Sequence, residues 1–363
     1  MEIHFCVNVI VFFMTRITLA HIARKAGVSK ATVSRVLNGQ AERHKIKPET
    51  AHHVLAEAKR LGYSAQRKLY KPKILRTQTW GLVVPDLSHF FLAQLTRTIV
   101  AQAREVGSSV LVMDSLEDTR NEVDAIQYLL GQDVDGLLIL PVGKEWEHIQ
   151  QLAQCGIPLV VVDRVVPNID CHRVCIDNYK ATFTAVDYLV ERGHRRIGCI
   201  QRLPQSWIND ERLRGYHDAH RRYGLDVDNS LIMGKLYGQR NGYLETKKLL
   251  HLDTPPTAIL ALSHLVTLGV LRALVEHGLT VPRDMSVIGF DDLPNSEYFA
   301  HPITTVTQPV TDMALTAVDL LLDEMNSKTR KPAMHVKFPT TLVRRNSVKI
   351  MNRGRFGSFL KEV

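Results

Sequence analysis

The feature that most constrains this chain is the segment 18–39, TLAHIARKAGVSKATVSRVLNG. Its apolar residues recur at the three-and-four spacing of a helix face, which predicts two short amphipathic helices. Gly27 between them can adopt the left-handed backbone of a tight turn, and Ser29 stands where an N-cap would start the second helix. The segment therefore predicts a helix-turn-helix. The residues predicted to face inward are Leu19, Ile22, Ala23, Val28, Val33, Val36 and Leu37.

The outward face of the predicted second helix suits a DNA major groove, which is about 12 Å wide. Its side chains at Lys30, Ala31, Ser34 and Arg35 are small, hydroxylic or cationic. The planar fork of Arg35 matches O6 and N7 of guanine, while neighbouring hydroxyl and amide side chains can hold phosphate oxygens. The alternative is an ordinary helix pair with a merely solvated polar face. The coincidence of turn glycine, cap serine and small outward residues disfavours that alternative.

The segment resembles the DNA-binding headpiece of the lactose and galactose repressor family of bacterial regulators, and the resemblance extends over residues 16–347. Further motifs follow in the family's order and spacing: PDLSHFFLAQL, VDRVVPNIDCHRVCIDNYKA, GHRRIGCI, ERLRGY, VPRDMSVIGFDD and HPITTVTQP. The resemblance implies double-stranded operator DNA as a partner. The residues expected to contact it are Thr18, Leu19, Ser29, Lys30, Ala31, Thr32, Ser34, Arg35, Asn38, Arg67 and Leu69.

The positive charge of the chain is concentrated near its start. Residues 15–79 contain 15 lysines and arginines against three acidic residues, although the net charge of the whole chain is only +9. The remainder is therefore slightly acidic. Such a local excess is the electrostatic footprint of nucleic-acid binding rather than of a generally basic protein.

A third helix and a linker follow the predicted helix-turn-helix. Pro48 and Glu49 are start signals for a helix that runs to about Leu61, before Gly62. Its expected apolar face consists of Val54, Leu55, Ala58 and Leu61.

Residues 63–79 form a basic linker, and the resemblance implies a hinge helix there that wedges a side chain into the minor groove. Pro72 occupies the wedge position and cannot continue a helix. In a shifted register Leu69 or Tyr70 is the intercalating residue, and Arg67 still binds phosphate.

From Trp80 onward, short β-branched runs alternate with amphipathic helices, which predicts parallel sheets covered on both faces. The alternation occurs twice and implies two lobes. The predicted fold is α/β: a small three-helix helix-turn-helix domain followed by a two-lobed periplasmic-binding-protein-like core. The expected boundaries are 1–14 for an N-terminal extension, 15–62 for the DNA-binding domain, 63–79 for the linker, 80–347 for the core and 348–363 for a disordered basic tail.

Charged residues at the ends of predicted strands indicate a ligand cleft between the lobes. Asp163 ends VVVD, Asp291 ends VIGFD, and Arg212 begins the RLRGY turn. Such side chains can hydrogen-bond adjacent hydroxyls of a sugar, and the resemblance places these positions in the effector cleft. A structural alternative stays open, in which Asp163 and Arg212 form an ion pair and Asp291 caps a helix. Other expected cleft residues are His89, Phe91 and Tyr237.

Ser263 and His264 follow AILAL, where the family usually has Asn-Asp. A serine and a histidine offer a neutral sugar fewer contacts than an amide does, and the histidine can become cationic at mild acidity. The expected effector is therefore a sugar, or an aldonate or related acidic metabolite.

Other classes of protein fit the sequence less well. No phosphate-binding loop, metalloprotease motif or nucleophile elbow occurs, so an enzyme is not expected, nor is any cofactor or metal. The five scattered cysteines indicate a reducing compartment, hence the bacterial cytoplasm and its nucleoid. A solute-binding protein would need export and would lack the basic headpiece.

The segment 1–14 is too short to span a bilayer and lacks the charge of a signal peptide, so no membrane partner is expected and translation from Met14 is the hypothesis. A homodimer is expected by resemblance, through the face of residues 91–101 and the run around Leu111. The expected function is a ligand-responsive transcriptional regulator, most simply a repressor, that binds a near-palindromic operator.

Overall fold

The computed structural model describes residues 19–37, 41, 44, 46–61, 78–143, 146–164, 169–204, 206–327 and 332–351. The chain divides into two compact units, residues 1–75 and 76–363. The predicted N-terminal extension, most of the linker and the end of the predicted tail lie outside the described residues. So do several residues discussed above: Thr18, Asn38, Gly62, Arg67, Leu69, Tyr70 and Pro72.

The first unit contains the three predicted helices, α1 (Leu19–Ala26), α2 (Lys30–Leu37) and α3 (Pro48–Arg60). Gly27 has a φ of +65°, as the predicted turn requires. The backbone N–H of Thr32 donates to Ser29 Oγ at 3.1 Å, which confirms the predicted N-cap. The buried core of this unit consists of Ile22, Ala23, Ala26, Val33, Val36, Val54 and Ala58.

Helix α3 starts at Pro48 as predicted, but its apolar face is narrower than expected. Val54 and Ala58 are buried, whereas Leu55 is 47% exposed, so its assignment to the core was wrong. Ala51, Val54 and Ala58 recur at three-and-four spacing and already fill the contact with α1 and α2. Leu55 lies about 100° around the helix from Val54 and is turned to solvent.

The second unit begins with a six-stranded sheet in the order β11-β5-β4-β3-β1-β2, and all the pairings in it are parallel. Its strands are β1 (Thr79–Val84), β2 (Ser109–Asp114), β3 (Gly136–Ile139), β4 (Leu159–Val162), β5 (His172–Ile176) and β11 (His335–Phe338). Its helices are α4 (Phe90–Glu105), α5 (Thr119–Gly131), α6 (Glu147–Gln154) and α11 (Val310–Asn326). We call this the first lobe.

The second lobe repeats this topology, with the strand order β12-β10-β9-β8-β6-β7. Only β12 among the described strands of this sheet pairs in the antiparallel sense, with β10. The strands are β6 (Ile197–Ile200), β7 (Ile232–Met233), β8 (Ala258–Ala261), β9 (Ser286–Phe290), β10 (Thr304–Thr307) and β12 (Thr341–Val343). The helices are α7 (Asn178–Glu191), α8 (Trp207–Arg222), α9 (Gln239–Leu250) and α10 (His264–Glu276).

The chain passes from the first lobe to the second after β5, returns to the first after β10, and passes to the second again after β11. Accordingly, α7, which follows β5, packs on α8 of the second lobe, and α11, which follows β10, packs on α4 of the first. Strands of continuous apolar residues form the core, and one buried cluster includes residues of both lobes, such as Leu138 and Leu260. Both faces of each sheet are covered, as the unbroken apolar runs predicted.

The ordered chain continues past the predicted core boundary at residue 347. The Lys349 N–H donates to Ser286 Oγ at 3.1 Å, and the Met351 N–H donates to the Arg192 carbonyl at 2.8 Å. The expectation of a disordered tail starting at residue 348 is therefore corrected by these contacts. Residues 348–351 belong to the second lobe because their backbone groups find partners there.

Candidate functional site

Helix α2 presents the small polar face that the sequence predicted. Lys30, Ala31 and Arg35 are exposed, and Thr32 and Ser34 are half-buried. Ser29 is exposed but its hydroxyl is engaged, since it caps the helix and lies 2.9 Å from Thr32 Oγ1. The face is narrow enough for close approach to a flat or grooved partner.

The surroundings of α2 are cationic. Segment 19–37 has no acidic residue. Exposed cations elsewhere in the described part of this unit extend the positive field to α1 and α3, although Arg60 is paired with Glu57 at 2.9 Å. Leu19 differs from the other candidates for DNA contact, because its side chain is half-buried against the apolar core of this unit.

In the second unit, the internal repeat places two aspartates at equivalent points. Asp163 directly follows β4 and Asp291 directly follows β9, with φ values of +66° and +65°. Their N–H groups donate to the carbonyls of Val174 and Val306, both at 2.8 Å. Aspartate tolerates this left-handed backbone better than most residues. Both carboxylates therefore lie at the carboxyl ends of parallel strands, where open α/β sheets bind ligands.

The two carboxylates have different environments. Asp291 Oδ1 accepts a hydrogen bond from Gln308 Nε2 at 2.6 Å. The Asp163 carboxylate accepts none from any described residue, and burial raises its pKa although Arg164, Arg212 and Arg202 oppose the rise. Neither structural alternative holds within the described residues: no ion pair joins Asp163 to Arg212, and Asn295 rather than Asp291 occupies the N-cap position of the helical turn that follows.

Arg212 is fixed by three contacts. Its Nε donates to Asn178 Oδ1 at 2.7 Å, its Nη1 donates to the Leu262 carbonyl at 2.7 Å, and its guanidinium carbon lies 3.4 Å from the centre of the Phe290 ring. Burial lowers its pKa to about 9, while the nearby Asp291 opposes the shift. The remaining amino group, Nη2, has no hydrogen-bond partner among the described residues. It is therefore the donor that this side chain can offer to a ligand.

His89 of the first lobe and His264 of the second lobe are in contact between the lobes. His89 Nε2 and His264 Nδ1 are 3.1 Å apart, with the rings nearly perpendicular. Burial, with help from Arg202, lowers the pKa of His89 to about 2, and burial also lowers the pKa of His264. Both rings are therefore neutral at pH 7. His89 Nδ1 is buried with no partner in the described chain.

Two other predicted cleft residues, Ser263 and Phe91, make contacts that stabilise the fold. Ser263 Oγ accepts a hydrogen bond from the Val266 N–H at 3.2 Å and so caps α10. The Ser263 hydroxyl is therefore engaged within the protein. Phe91 is buried in the large apolar cluster of the core.

A pocket lies between the lobes. Of the predicted effector residues, Tyr237 lines it, whereas the aspartates, Arg212 and the two histidines are not among its lining residues. The lining consists of Pro141, Gly143, Trp146 and Arg164 from the first lobe, and Arg202, Ser206, Trp207, Ile208, Asn209 and Tyr237 from the second. The buried polar cluster nevertheless adjoins the pocket, because Arg164 and Arg202 act electrostatically on both Asp163 and His89.

Two arginines at this pocket escaped prediction. Arg164 donates from Nη1 and Nη2 to the two carboxylate oxygens of Glu117, at 2.8 and 2.5 Å. Arg202 stands 3.9 Å from the same carboxylate, and its guanidinium lies 4.9 Å from the centre of the Tyr237 ring. Each arginine follows closely on the end of a strand, β4 or β6. That position was the signal that could have identified them.

Contacts of Glu122 support the part of the pocket wall to which Pro141, Gly143 and Trp146 contribute. Glu122 is fully buried, and its Oε2 accepts the N–H of Val142 at 2.7 Å. Its Oε1 lies 2.6 Å from His148 Nε2, which donates to it. These contacts join α5 and α6 to the wall. Glu122 therefore positions this side of the pocket without lining it.

No helix in the described ranges is long and apolar enough to cross a membrane. Within those same ranges, no three histidine, cysteine or acidic side chains gather as they would around a metal ion.

Comparison with known proteins agrees with both units. Residues 18–66 match the family model described as bacterial regulatory proteins, lacI family, and residues 186–348 match that of a periplasmic binding protein-like domain. Catabolite control protein A of Priestia megaterium is 32% identical over 334 residues, which cover 92% of this chain and 99% of the relative. The HTH-type transcriptional repressor CytR of Escherichia coli (strain K12) is 34% identical over 318 residues, covering 86% and 91%.

A solved structure of the transcriptional regulator CelR in complex with cellobiose has a TM-score of 0.69 and 31% identity, covering 92% of this chain and 100% of that one. The named relatives are transcriptional regulators. Since they exceed 30% identity over most of both chains, this protein belongs to the LacI family of bacterial transcriptional regulators.

Proposed function

We propose that the protein is a ligand-responsive transcriptional repressor of the bacterial cytoplasm and nucleoid. It binds a near-palindromic operator as a homodimer and senses a sugar, an aldonate or a related metabolite between the lobes of its core. The observation that carries the proposal is α2, a Ser29-capped helix with exposed Lys30, Ala31 and Arg35 in a segment without acidic residues. Such a helix can enter a major groove and leave its apolar side in the headpiece core.

The core supports the sensing half of the proposal. Asp163 and Arg212 Nη2 offer an acceptor and a donor that no described side chain uses, which suits a polyhydroxylated ligand. The CelR structure holds a disaccharide. Closure of the lobes on a ligand alters their relative geometry, and the resulting coupling to DNA affinity must be reciprocal.

The homodimer rests on an apolar surface of the first lobe. Val100 on α4 and Leu111 on the edge strand β2 are 38% and 36% exposed, and Val106 is 43% exposed. Exposed apolar residues on one helix and the neighbouring edge strand suit a protein interface. A two-fold dimer presents two headpieces to two half-sites, hence the palindromic operator.

The test begins with duplexes selected from a random pool by the full-length protein, followed by a mobility-shift assay at moderate salt. Arg35→Ala is expected to weaken binding about 5-fold to 150-fold and relax specificity at one base pair, since a bidentate guanine contact is worth about 1–3 kcal/mol. Arg24→Ala is the control, because Arg24 is an exposed cation on α1. Equal losses in both variants would remove the assigned role of Arg35. Failure to select any sequence would reject the operator-binding function.

A further inference from the structure

The lining of the cleft pocket is cationic. Its described lining residues include Arg164 and Arg202 but no carboxylate. Glu117 balances Arg164 because both of its oxygens accept hydrogen bonds from that side chain. Among the residues that the structure describes, Arg202 has no equivalent partner, since the nearest Glu117 oxygen is 3.9 Å away, beyond hydrogen-bond distance.

Arg202 is also poorly hydrated, with only 13% of its side chain exposed. Its guanidinium donates no hydrogen bond to any side chain or backbone group in the described part of the protein. A largely desolvated guanidinium with five donors favours oxygens that carry negative charge, and it can hold a phosphate or carboxylate in a bidentate manner. The Tyr237 ring lies 4.9 Å from the Arg202 guanidinium carbon, a contact that uses none of the N–H donors in a hydrogen bond.

Aromatic rings stand on both sides of the same pocket. Trp146 comes from the first lobe, whereas Trp207 and Tyr237 come from the second. Flat apolar faces of this kind can hold a ring. The lining therefore offers ring contacts and one available cation.

We propose that this pocket binds a ring-bearing anion, a sugar phosphate or a cyclic sugar acid, with the anionic group on Arg202 and the ring between the aromatic side chains of the two lobes. The inference rests on the proposed effector function and names the ligand class. It assigns charge recognition to Arg202. Asp163 and Arg212 do not line the pocket, and they take hydroxyl groups only of a ligand that extends into the adjoining buried cluster. A neutral sugar leaves the Arg202 donors without a charged partner and therefore binds more weakly.

Matched probes test the proposal by isothermal titration calorimetry on the full-length protein. Glucose is compared with glucose 6-phosphate and with glucuronate, and ribose with ribose 5-phosphate. The anionic member of at least one pair is expected to bind at least tenfold more tightly. The phosphate and carboxylate arms distinguish the two sources of charge. If no pair shows a preference for its anionic member, including the case in which no probe binds, the proposal is overturned.

Substitutions of Arg202 test whether a preference for the anionic probe depends on this residue. Arg202→Gln is expected to abolish the preference and to change the affinity of the neutral member less than threefold, whereas Arg202→Lys keeps part of the preference because it keeps the charge. Arg104→Gln removes an exposed cation from α4 and is expected to bind like the wild type. If Arg202→Gln retains the full preference, the assignment is wrong.

A mobility shift in the presence of the same probes separates this inference from the proposed function. A protein that binds its operator but shows no anion preference overturns the inference alone. If the protein shows the predicted preference but no bound probe alters its DNA affinity, the proposed ligand class stands and the ligand-responsive function is rejected.

Discussion

Acidification should destabilise the core through the histidine pair between the lobes. In the folded protein the pKa of His89 lies at about 2, against an ordinary value of 6.5. Below pH 6.5 the unfolded chain therefore binds a proton that the folded chain does not, so stability falls as the pH falls. At pH 5 this amounts to about 2 kcal/mol relative to pH 7.5, since one pKa unit corresponds to about 1.36 kcal/mol. His264, whose pKa is also lowered, adds to the loss in the same direction.

The cause of the shift is local and can be removed. His89 is buried against His264, and the nearby cations of Arg202, Arg164 and Arg212 further disfavour its protonation. His89→Gln eliminates the titrating group and keeps a side chain that can hydrogen-bond to His264. The loss of unfolding free energy between pH 7.5 and pH 5 should therefore be about 2 kcal/mol smaller in this variant than in the wild type.

Urea unfolding followed by tryptophan fluorescence measures this loss. All three tryptophans, Trp80, Trp146 and Trp207, belong to the second unit, so the signal reports on the core. His301→Gln, at an exposed position, should behave like the wild type. If His89→Gln loses as much stability between the two pH values as the wild type does, the buried neutral histidine is not the cause and the reasoning fails.

Other substitutions test the packing of the core. Glu122→Ala leaves the Val142 N–H without its acceptor, and it should cost about 1–3 kcal/mol in urea unfolding and weaken binding in the pocket. Gly215→Ala places a Cβ 2.2 Å from the Tyr179 carbonyl oxygen, so α7 and α8 must separate and the melting temperature should fall by several degrees. Leu111→Asp should convert the dimer to monomers in sedimentation velocity experiments, because it places a charge in the proposed interface.

Each of these changes has a matched control. Glu122→Gln keeps an acceptor and should restore most of the stability lost in the alanine variant. Gly131→Ala meets no atom within 4 Å and should be neutral or slightly stabilising. Tyr128→Asp alters a residue that is 54% exposed on α5 and should leave the dimer intact. Equal effects of a variant and its control would show that the contact in question does not carry the effect.

The features that were predictable from the sequence depend on local signals. Gly27 and Ser29 mark a turn and a cap within a few residues of the helices that they join, and the apolar runs of β1, β3, β4, β8 and β9 are buried on both faces. The sequence analysis did not identify α7, α11 or the short strands β5, β7, β10, β11 and β12 as elements. Strand β11 pairs with β5, which lies about 160 residues earlier in the chain, so no local sequence pattern predicts this pairing.

The site was predicted only in part, for a similar reason. Helix α8 starts at Trp207, and its first turn holds two lining residues, Trp207 and Asn209, that were not among the expected cleft residues. Ser206 was the overlooked start signal. Asp163 and Asp291 were identifiable because each ends an obvious strand. The engagement of Arg164 by Glu117, which leaves Arg202 as the available cation, depends on side-chain contacts between distant segments that spacing does not reveal.

The polar contacts across the cleft suggest how ligand and DNA affinity could be coupled. His89 meets His264, Arg164 lies 5.6 Å from the Tyr237 ring centre, and Glu117 approaches Arg202. A neutral hydrogen bond contributes about 1 kcal/mol, and a tenfold preference of a ligand for one arrangement of the lobes is worth about 1.4 kcal/mol. Since these quantities are similar, a ligand anion on Arg202 can change the balance between lobe arrangements without any large rearrangement of the fold. The same balance makes the response sensitive to single substitutions in this cluster, even where these do not touch the ligand.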